Sequence, residues 1–123
     1  MPRERNDPSR DAAWLLDMLA AARAVVAFVN GRTYQEYEQD LFFRSAVERQ
    51  IEIIGEAARR LTPAVRGQFP EIPWNLLTGM RNILIHDYDD VDLDIVWDTV
   101  QRDLPPLVIR LAAHLAATPP PAA

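Results

Sequence analysis

The fold is decided by residues 33–61, which read TYQEYEQDLFFRSAVERQIEIIGEAARRL. Thr33 and Glu36 have the spacing of a capping box, in which each side chain bonds a backbone N–H of the other residue, so they predict a helix N-terminus. Apolar residues then recur every three or four positions, as a helix with one buried face requires. These residues are Val47, Ile51, Ile54, Ala58 and Leu61. The stretch predicts one long helix that needs partners to cover its apolar face.

Helices are also predicted on both sides of this stretch. A first helix of about 20 residues is expected between an N-cap at Ser9 and a stop at Asn30-Gly31. After the long helix, Thr62 and Pro63 are typical of a new N-cap and a first helical position, and they predict a short helix over residues 63–69.

Two more helices are expected in the second half of the chain. One begins near Trp74 and runs into the acidic loop His86–Asp90, and the other begins at Asp92, a good N-cap residue. The apolar spacing of the last helix stays in phase across Pro105-Pro106, so we expect a single helix with a kink. The inward-facing residues of the helix after Trp74 are predicted to be Leu76, Leu77, Met80, Ile83 and Leu84.

These elements predict an all-α protein, an up-and-down bundle of four or five helices. The chain has 123 residues, of which 49% are hydrophobic and 25% charged, as is usual for one globular domain. We expect a single helical domain over residues 9–116. Residues 1–8 are expected to form a flexible N-terminus and residues 117–123 a disordered Pro/Ala tail.

Composition excludes several classes of chemistry. The chain has no cysteine, which excludes a disulfide scaffold, a thiol nucleophile and a cysteine-ligated metal. The formal net charge of −5 argues against broad nucleic-acid binding but leaves room for a local basic site. No uncharged apolar run approaches the ~20 residues that cross a bilayer. We therefore expect a cytoplasmic protein with no membrane partner.

The most chemically active polar group consists of Arg81, Asn82, His86 and Tyr88. A guanidinium binds anions, and an imidazole can both take up and release a proton near neutral pH. On an ideal helix Asn82 and His86 share a face, whereas Arg81 and His86 lie roughly 140° apart. A structural interpretation stays open, in which Arg81 and His86 complement the dipole of a helix C-terminus and Tyr88 packs over its end.

The segment around these residues resembles a known family. Residues 79–97 read GMRNILIHDYDDVDLDIVW, and residues 49–61 before them read RQIEIIGEAARRL. Both are similar to the HepT-like ribonuclease toxins of the HEPN superfamily, whose motif is Arg, a polar residue, three further residues and then His-x-Tyr. The residues that fill this motif are Arg81, Asn82, His86 and Tyr88. The resemblance extends over roughly residues 10–115.

The resemblance implies a HEPN-like bundle and a metal-independent endoribonuclease, the toxin of a toxin–antitoxin pair, which needs no cofactor. Cutting RNA without a metal requires activation of the 2′-OH, protonation of the leaving 5′-oxygen and stabilisation of the charged phosphorane. Arg81 suits the stabilisation of charge, and His86 suits proton transfer. One chain supplies one such histidine, so a homodimer that shares one cleft would supply both an acid and a base. The resemblance implies the same dimeric cleft.

Tyr88 has two candidate roles in this family. It could position a phosphate or stack on a base of the RNA. The resemblance also implies that Tyr88 is the residue to which an MntA-type minimal nucleotidyltransferase, the antitoxin, attaches AMP. The added charge and bulk close to His86 would repel RNA. The alternative is a structural tyrosine that closes the end of the bundle with a hydrogen-bonded hydroxyl.

Glu48, Glu52 and Glu56 recur every fourth residue and could be taken for a carboxylate metal site. No Glu-x-x-His motif accompanies them, and several arginines lie within pairing distance, so we predict a solvated or salt-bridged face and no metal. Glu56 follows Gly55 in a stretch typical of the family. Together with Asn82 it is expected to support the site.

A second function is compatible with the same residues. In that interpretation the chain is a non-catalytic helical subunit of a nucleotidyltransferase complex. Arg81, His86 and Tyr88 would then bind a nucleotide or dock the partner without cutting RNA.

Overall fold

The computed structural model describes residues 6–117, and within them the secondary structure is entirely helical. This confirms the predicted all-α class, with seven α-helices in the described range in place of four or five. Two short 3-10 turns accompany them, at Pro8–Arg10 and Tyr88–Asp90. The helices are α1 Asp11–Val29, α2 Tyr34–Gln39, α3 Leu41–Arg60, α4 Pro63–Arg66, α5 Trp74–His86, α6 Leu93–Arg102 and α7 Leu104–Ala117.

Helix α3 is the centre of the bundle. It packs against α1 on one side and α5 on the other, while α7 covers α1 and α6. The apolar residues predicted along residues 33–61 are all buried, among them Val47 and Ile54, which have no exposed surface. They meet the core residues of the neighbouring helices, which include Met18, Ala22, Val25, Leu77, Met80 and Leu111. The burial of this shared core is the main driving force for the fold.

One segment, Pro8–Val29, is long and apolar enough to cross a membrane by length and composition alone. Its apolar side chains pack against α3 and α7 inside the bundle. The segment also carries four charged residues, Arg10, Asp11, Asp17 and Arg23. Packing in the core therefore accounts for its buried apolar residues, whereas Leu16 and Phe28 remain exposed.

The start of α1 differs from the prediction, because Ser9 is not its N-cap. The Asp7 carboxylate accepts hydrogen bonds from the Ser9 N–H at 2.9 Å and the Ser9 hydroxyl at 2.8 Å, which forms a 3-10 turn instead. Helix α1 begins at Asp11, whose buried carboxylate accepts the N–H and hydroxyl of Thr62 at 2.9 and 2.7 Å. This contact ties the first turn of α1 to the end of α3.

The long helix predicted from Thr33 is interrupted at Asp40. The capping box is confirmed, since the Glu36 N–H donates to Thr33 Oγ1 at 3.2 Å and the Thr33 N–H donates to Glu36 Oε1 at 3.0 Å. Asp40 then leaves the helical region with φ −97° and ψ 100°. Its carboxylate accepts the Phe43 N–H at 3.1 Å, so it caps α3 as a new helix. Aspartate strongly prefers the N-cap position, so Asp40 begins a new helix although the apolar spacing continues through it.

Two smaller predictions about the middle of the chain also need correction. Thr62 caps α4 and Pro63 is its first residue, as predicted, but α4 ends at Arg66 and not at residue 69. On α5, Leu77, Met80 and Leu84 face inward, as expected. Ile83 does not, since 43% of its surface is exposed.

The last predicted helix is two helices, α6 and α7, separated by Asp103. Pro105 and Pro106 lack the N–H groups that would donate hydrogen bonds to the preceding turn, so the helical hydrogen bonding is interrupted. The break falls at Asp103, just before the predicted kink at Pro105-Pro106. Asp103 keeps a helical backbone, with φ −100° and ψ −29°. The apolar stripe therefore continues across the break into α7, with Val100, Leu104 and Leu107 all buried.

The predicted flexible ends lie largely outside the described residues, which exclude 1–5 and 118–123. Asn6 is described, and its side-chain amide donates to the carbonyl of Leu61 at 2.8 Å. The chain just before α1 therefore contacts the end of α3.

Helices α3 and α5 lie in close contact at Gly55. A Cβ atom at this position would overlap the Cβ of Arg81 and lie 2.7 Å from the carbonyl oxygen of Leu77. Side chains do not tolerate such distances, so one of the helices would have to move. A glycine inside a helix lowers stability relative to alanine, and the close contact between α3 and α5 explains why a glycine is found at this position.

The substitution Gly55→Ala tests this contact. We expect it to lower the free energy of unfolding by about 1–3 kcal/mol, because the added methyl group overpacks the contact. Gly79→Ala is the matched control, since Gly79 also lies within a helix and a methyl group there would meet no atom within 4 Å. That variant should be stabilised by about 1 kcal/mol through helix propensity. Urea unfolding of both proteins measures the difference, and equal effects would contradict the close approach.

Candidate active site

Arg81 projects from α5 toward α3, and only 18% of its side chain is exposed. Its Nε atom is buried and lies 3.2 Å from Oε1 of Glu56, which is an ion-pair distance without hydrogen-bond geometry. Its Nη1 atom donates to the side-chain oxygen of Asn82 at 2.8 Å. The absence of a side chain at Gly55 lets the stem of Arg81 lie directly against α3. The guanidinium is thus held in place from two sides.

Glu56 binds three arginines at once. Arg59 donates to both of its carboxylate oxygens at 3.1 Å, and Arg60 donates to Oε2 at 2.9 Å. The hydrogen bonds from Arg59 are the main cause that lowers the pKa of Glu56, with further contributions from Arg60 and Arg81. One negative charge faces three positive charges, so this cluster retains an excess positive charge that favours a bound anion such as phosphate.

His86 and Tyr88 lie at the other end of α5. His86 is the last residue of the helix and its side chain is exposed. Tyr88 follows in the short 3-10 turn and is 72% exposed. The structural interpretation of Tyr88, as a residue packed over the end of the bundle, is therefore wrong. Both side chains are accessible to a partner molecule.

The structure brings Glu56, Arg81 and Asn82 together, but it does not bring Arg81 to His86. Helix α5 is continuous between the two residues, which are five positions and roughly 140° apart. Within residues 6–117 no hydrogen bond or ion pair joins Arg81 to His86. A single chain therefore presents an anchored guanidinium on one face of α5 and a free imidazole at its end.

The carboxylates that could have been taken for a metal site are engaged with other side chains. Glu52 pairs with Arg49 at 3.2 Å, and Glu56 pairs with its arginines. Glu48 accepts a hydrogen bond at 2.7 Å from the hydroxyl of Tyr37, a partner that the helical spacing did not predict. Burial raises the pKa of Glu48. The predicted salt-bridged face is confirmed for Glu52 and Glu56.

Gly55 is the residue of the site that sequence reasoning did not identify as functional. The sequence does contain a signal for Gly55, since a glycine in the middle of an otherwise strong helical pattern usually has a packing or functional reason. Its contact with Arg81 becomes visible only once α3 and α5 are placed side by side. Gly55 acts on the site by allowing the arginine to approach.

Comparisons with known proteins agree on one family. A family model described as "Ribonuclease HepT-like" matches residues 18–113, which include the whole of α5. Two proteins of Methanocaldococcus jannaschii, each named "Putative RNase", are 41% and 36% identical to this chain. The first match covers 76% of this chain and 85% of that protein, and the second covers 80% and 85%.

A protein of Thermococcus cleftensis named "Probable ribonuclease HepT" is 35% identical over 94 residues, which are 76% of this chain and 86% of that protein. No solved structure matches the chain significantly. The family match spans most of the chain and includes the motif from Arg81 to Tyr88. The chain therefore belongs to the ribonuclease HepT-like family, within the HEPN superfamily.

Proposed function

We propose that this protein is a metal-independent endoribonuclease, the toxin of a toxin–antitoxin pair that acts in the cytoplasm. The observation that carries the proposal is the anchored guanidinium of Arg81 within an arginine cluster, on the same helix that ends in the exposed imidazole of His86. The ribonuclease names of its relatives support the same activity.

Each residue has a defined task in this reaction. A base removes the proton of the 2′-OH, the 2′-oxygen attacks phosphorus, and an acid protonates the leaving 5′-oxygen. The products are a 2′,3′-cyclic phosphate and a 5′-hydroxyl end. His86 carries out proton transfer, because an imidazole can serve as either acid or base. Arg81 stabilises the extra negative charge of the phosphorane through its planar fork of N–H donors.

A homodimer supplies the second imidazole. Ile83 lies one turn before His86 on the same face of α5 and is 43% exposed, so it offers an apolar contact beside the imidazole. A two-fold axis near this end of α5 would bring the His86 of each chain toward the Arg81 of the other. Such a cleft resolves the separation of Arg81 and His86 within one chain.

Substitution of the two residues tests the nuclease. We expect Arg81→Ala and His86→Ala each to lower the rate of RNA cleavage by about 100-fold or more, because each removes a group that acts in the transition state. Arg102→Ala and His114→Ala are the matched controls, and both should cut RNA as the wild type does. The assay follows a labelled RNA with purified protein, alongside growth after induced expression.

Fold and assembly are checked in the same samples by circular dichroism and sedimentation. Wild-type protein that is dimeric and unmodified, yet neither cuts RNA nor arrests growth, would contradict the nuclease. The non-catalytic, nucleotide- or partner-binding subunit would then be favoured. The lack of a contact between Arg81 and His86 in one chain is the observation that keeps this alternative open.

Regulation is proposed to occur at Tyr88. An MntA-type nucleotidyltransferase would join the phenolic oxygen of Tyr88 to the α-phosphate of ATP, with loss of the phenolic proton and release of pyrophosphate. The exposure of Tyr88 in a short turn supports access by such an enzyme. AMP at this position adds a phosphate two residues from His86, where it would repel the phosphates of RNA.

Incubation with an MntA-type nucleotidyltransferase and ATP tests this regulation. We expect wild-type protein to gain the mass of AMP and to lose activity, because the modified tyrosine blocks the site. Tyr88→Phe should gain no mass and remain active in the same mixture. Tyr34→Phe, which alters a partly buried tyrosine, should behave as the wild type does. Modification of the Tyr88→Phe protein, measured by mass spectrometry, would contradict the assignment.

A further inference from the structure

We propose that the cavity beside Arg81 binds a guanine base of the RNA and thereby sets where the chain is cut. This proposal rests on the proposed ribonuclease function. The cavity has a volume of about 260 Å³ and is formed by residues of α1, α3 and α5. Sites for drug-sized ligands have about 300–1,000 Å³, so this cavity has the size to hold a single base.

Apolar and aromatic side chains provide walls for a flat ring. Trp14 of α1 and Ile85 of α5 line the cavity, together with Ile53 of α3. Aromatic side chains are common stacking partners for single-stranded bases. The guanidinium groups of Arg10 and Arg60 lie over the Trp14 ring, 5.5 and 5.7 Å from its centre, and a base that stacks on this ring would take the place of the exposed Arg10 group.

The polar groups of the cavity favour guanine over the other bases. No hydrogen bond or ion pair engages the Asp17 carboxylate within the described residues, so both of its oxygens are available as acceptors. Guanine offers two adjacent N–H donors on its Watson–Crick edge, which a carboxylate can accept together. Arg49 also lines the cavity; its Nη1 is paired with Glu52, a further lining residue, at 3.2 Å, so its remaining N–H donors face a base, and an arginine donates well to O6 and N7 of guanine. Uracil has no amino group, and adenine and cytosine offer the carboxylate a single amino group.

The position of the cavity links base recognition to the chemistry. Arg81 lines the same cavity, so a nucleotide whose base lies near Asp17 has its phosphate within the reach of the arginine cluster. Asp17 is exposed on α1, and the other two carboxylates of the cavity, Glu52 and Glu56, are paired with arginines. A neutral, donor-rich base between Asp17 and the arginine cluster would bond this carboxylate and leave its phosphate facing the arginines.

Titration of the purified protein with GMP, AMP, CMP and UMP tests the proposal without cleavage. We expect GMP to bind about tenfold more tightly than the other three, because only guanine satisfies both Asp17 and Arg49. Asp17→Asn should reduce the affinity for GMP by about tenfold and abolish the preference, since an amide presents one acceptor and one donor. Asp98→Asn, at an exposed aspartate on α6, is the matched control and should bind GMP as the wild type does.

Calorimetry measures the affinities, and circular dichroism establishes that the variants are folded. Equal binding of all four nucleotides, or unchanged GMP binding by Asp17→Asn, would overturn the guanine site. The result is independent of the nuclease: a GMP preference that depends on Asp17 supports the cavity even in a protein that cuts no RNA. Conversely, RNA cleavage that depends on Arg81 but shows no preference for guanine would rule out the guanine site and would still support the proposed nuclease.

Discussion

The close approach of α3 and α5 at Gly55 is the constraint on which the site depends. It brings the stem of Arg81 against α3 and sets its guanidinium beside Glu56. This matters for the proposed reaction, because a group that stabilises a transition state gains much of its effect from being held in position. The packing of the core and the chemistry of the site therefore rest on the same pair of helices.

The distribution of charge explains how an acidic chain can act on RNA. The protein carries a net charge of −5, which disfavours broad attraction to nucleic acid. Around Glu56, however, three arginines converge on one carboxylate. A phosphate that enters this cluster meets fixed donors in a partly buried setting, where such interactions are stronger than in water. In the proposed reaction, the local arrangement of the arginines, and not the net charge of the protein, provides the affinity for RNA.

Local signals in the sequence predicted the features that depend on neighbouring residues. The capping box at Thr33, the cap at Thr62 and the helix that carries the Arg81 motif are of this kind. The break at Asp40 was missed because the apolar spacing continues through it. The Glu56–Arg81 contact joins residues far apart in the sequence, and its geometry depends on how closely two helices pack. The cavity could not be predicted because three helices contribute to it.

The chemistry of the cut ends decides whether this protein is a metal-independent nuclease. Purified protein in excess EDTA is given an RNA oligonucleotide and a matched one with a single 2′-deoxy nucleotide at the cut position, and mass spectrometry identifies the products. If Arg81 and His86 act as proposed, the first RNA gives 2′,3′-cyclic phosphate and 5′-hydroxyl ends, and the second is not cut because the attacking 2′-OH is missing. Products with 5′-phosphate ends, or activity that appears only when Mg²⁺ is added, would contradict a nuclease that works through Arg81 and His86 alone.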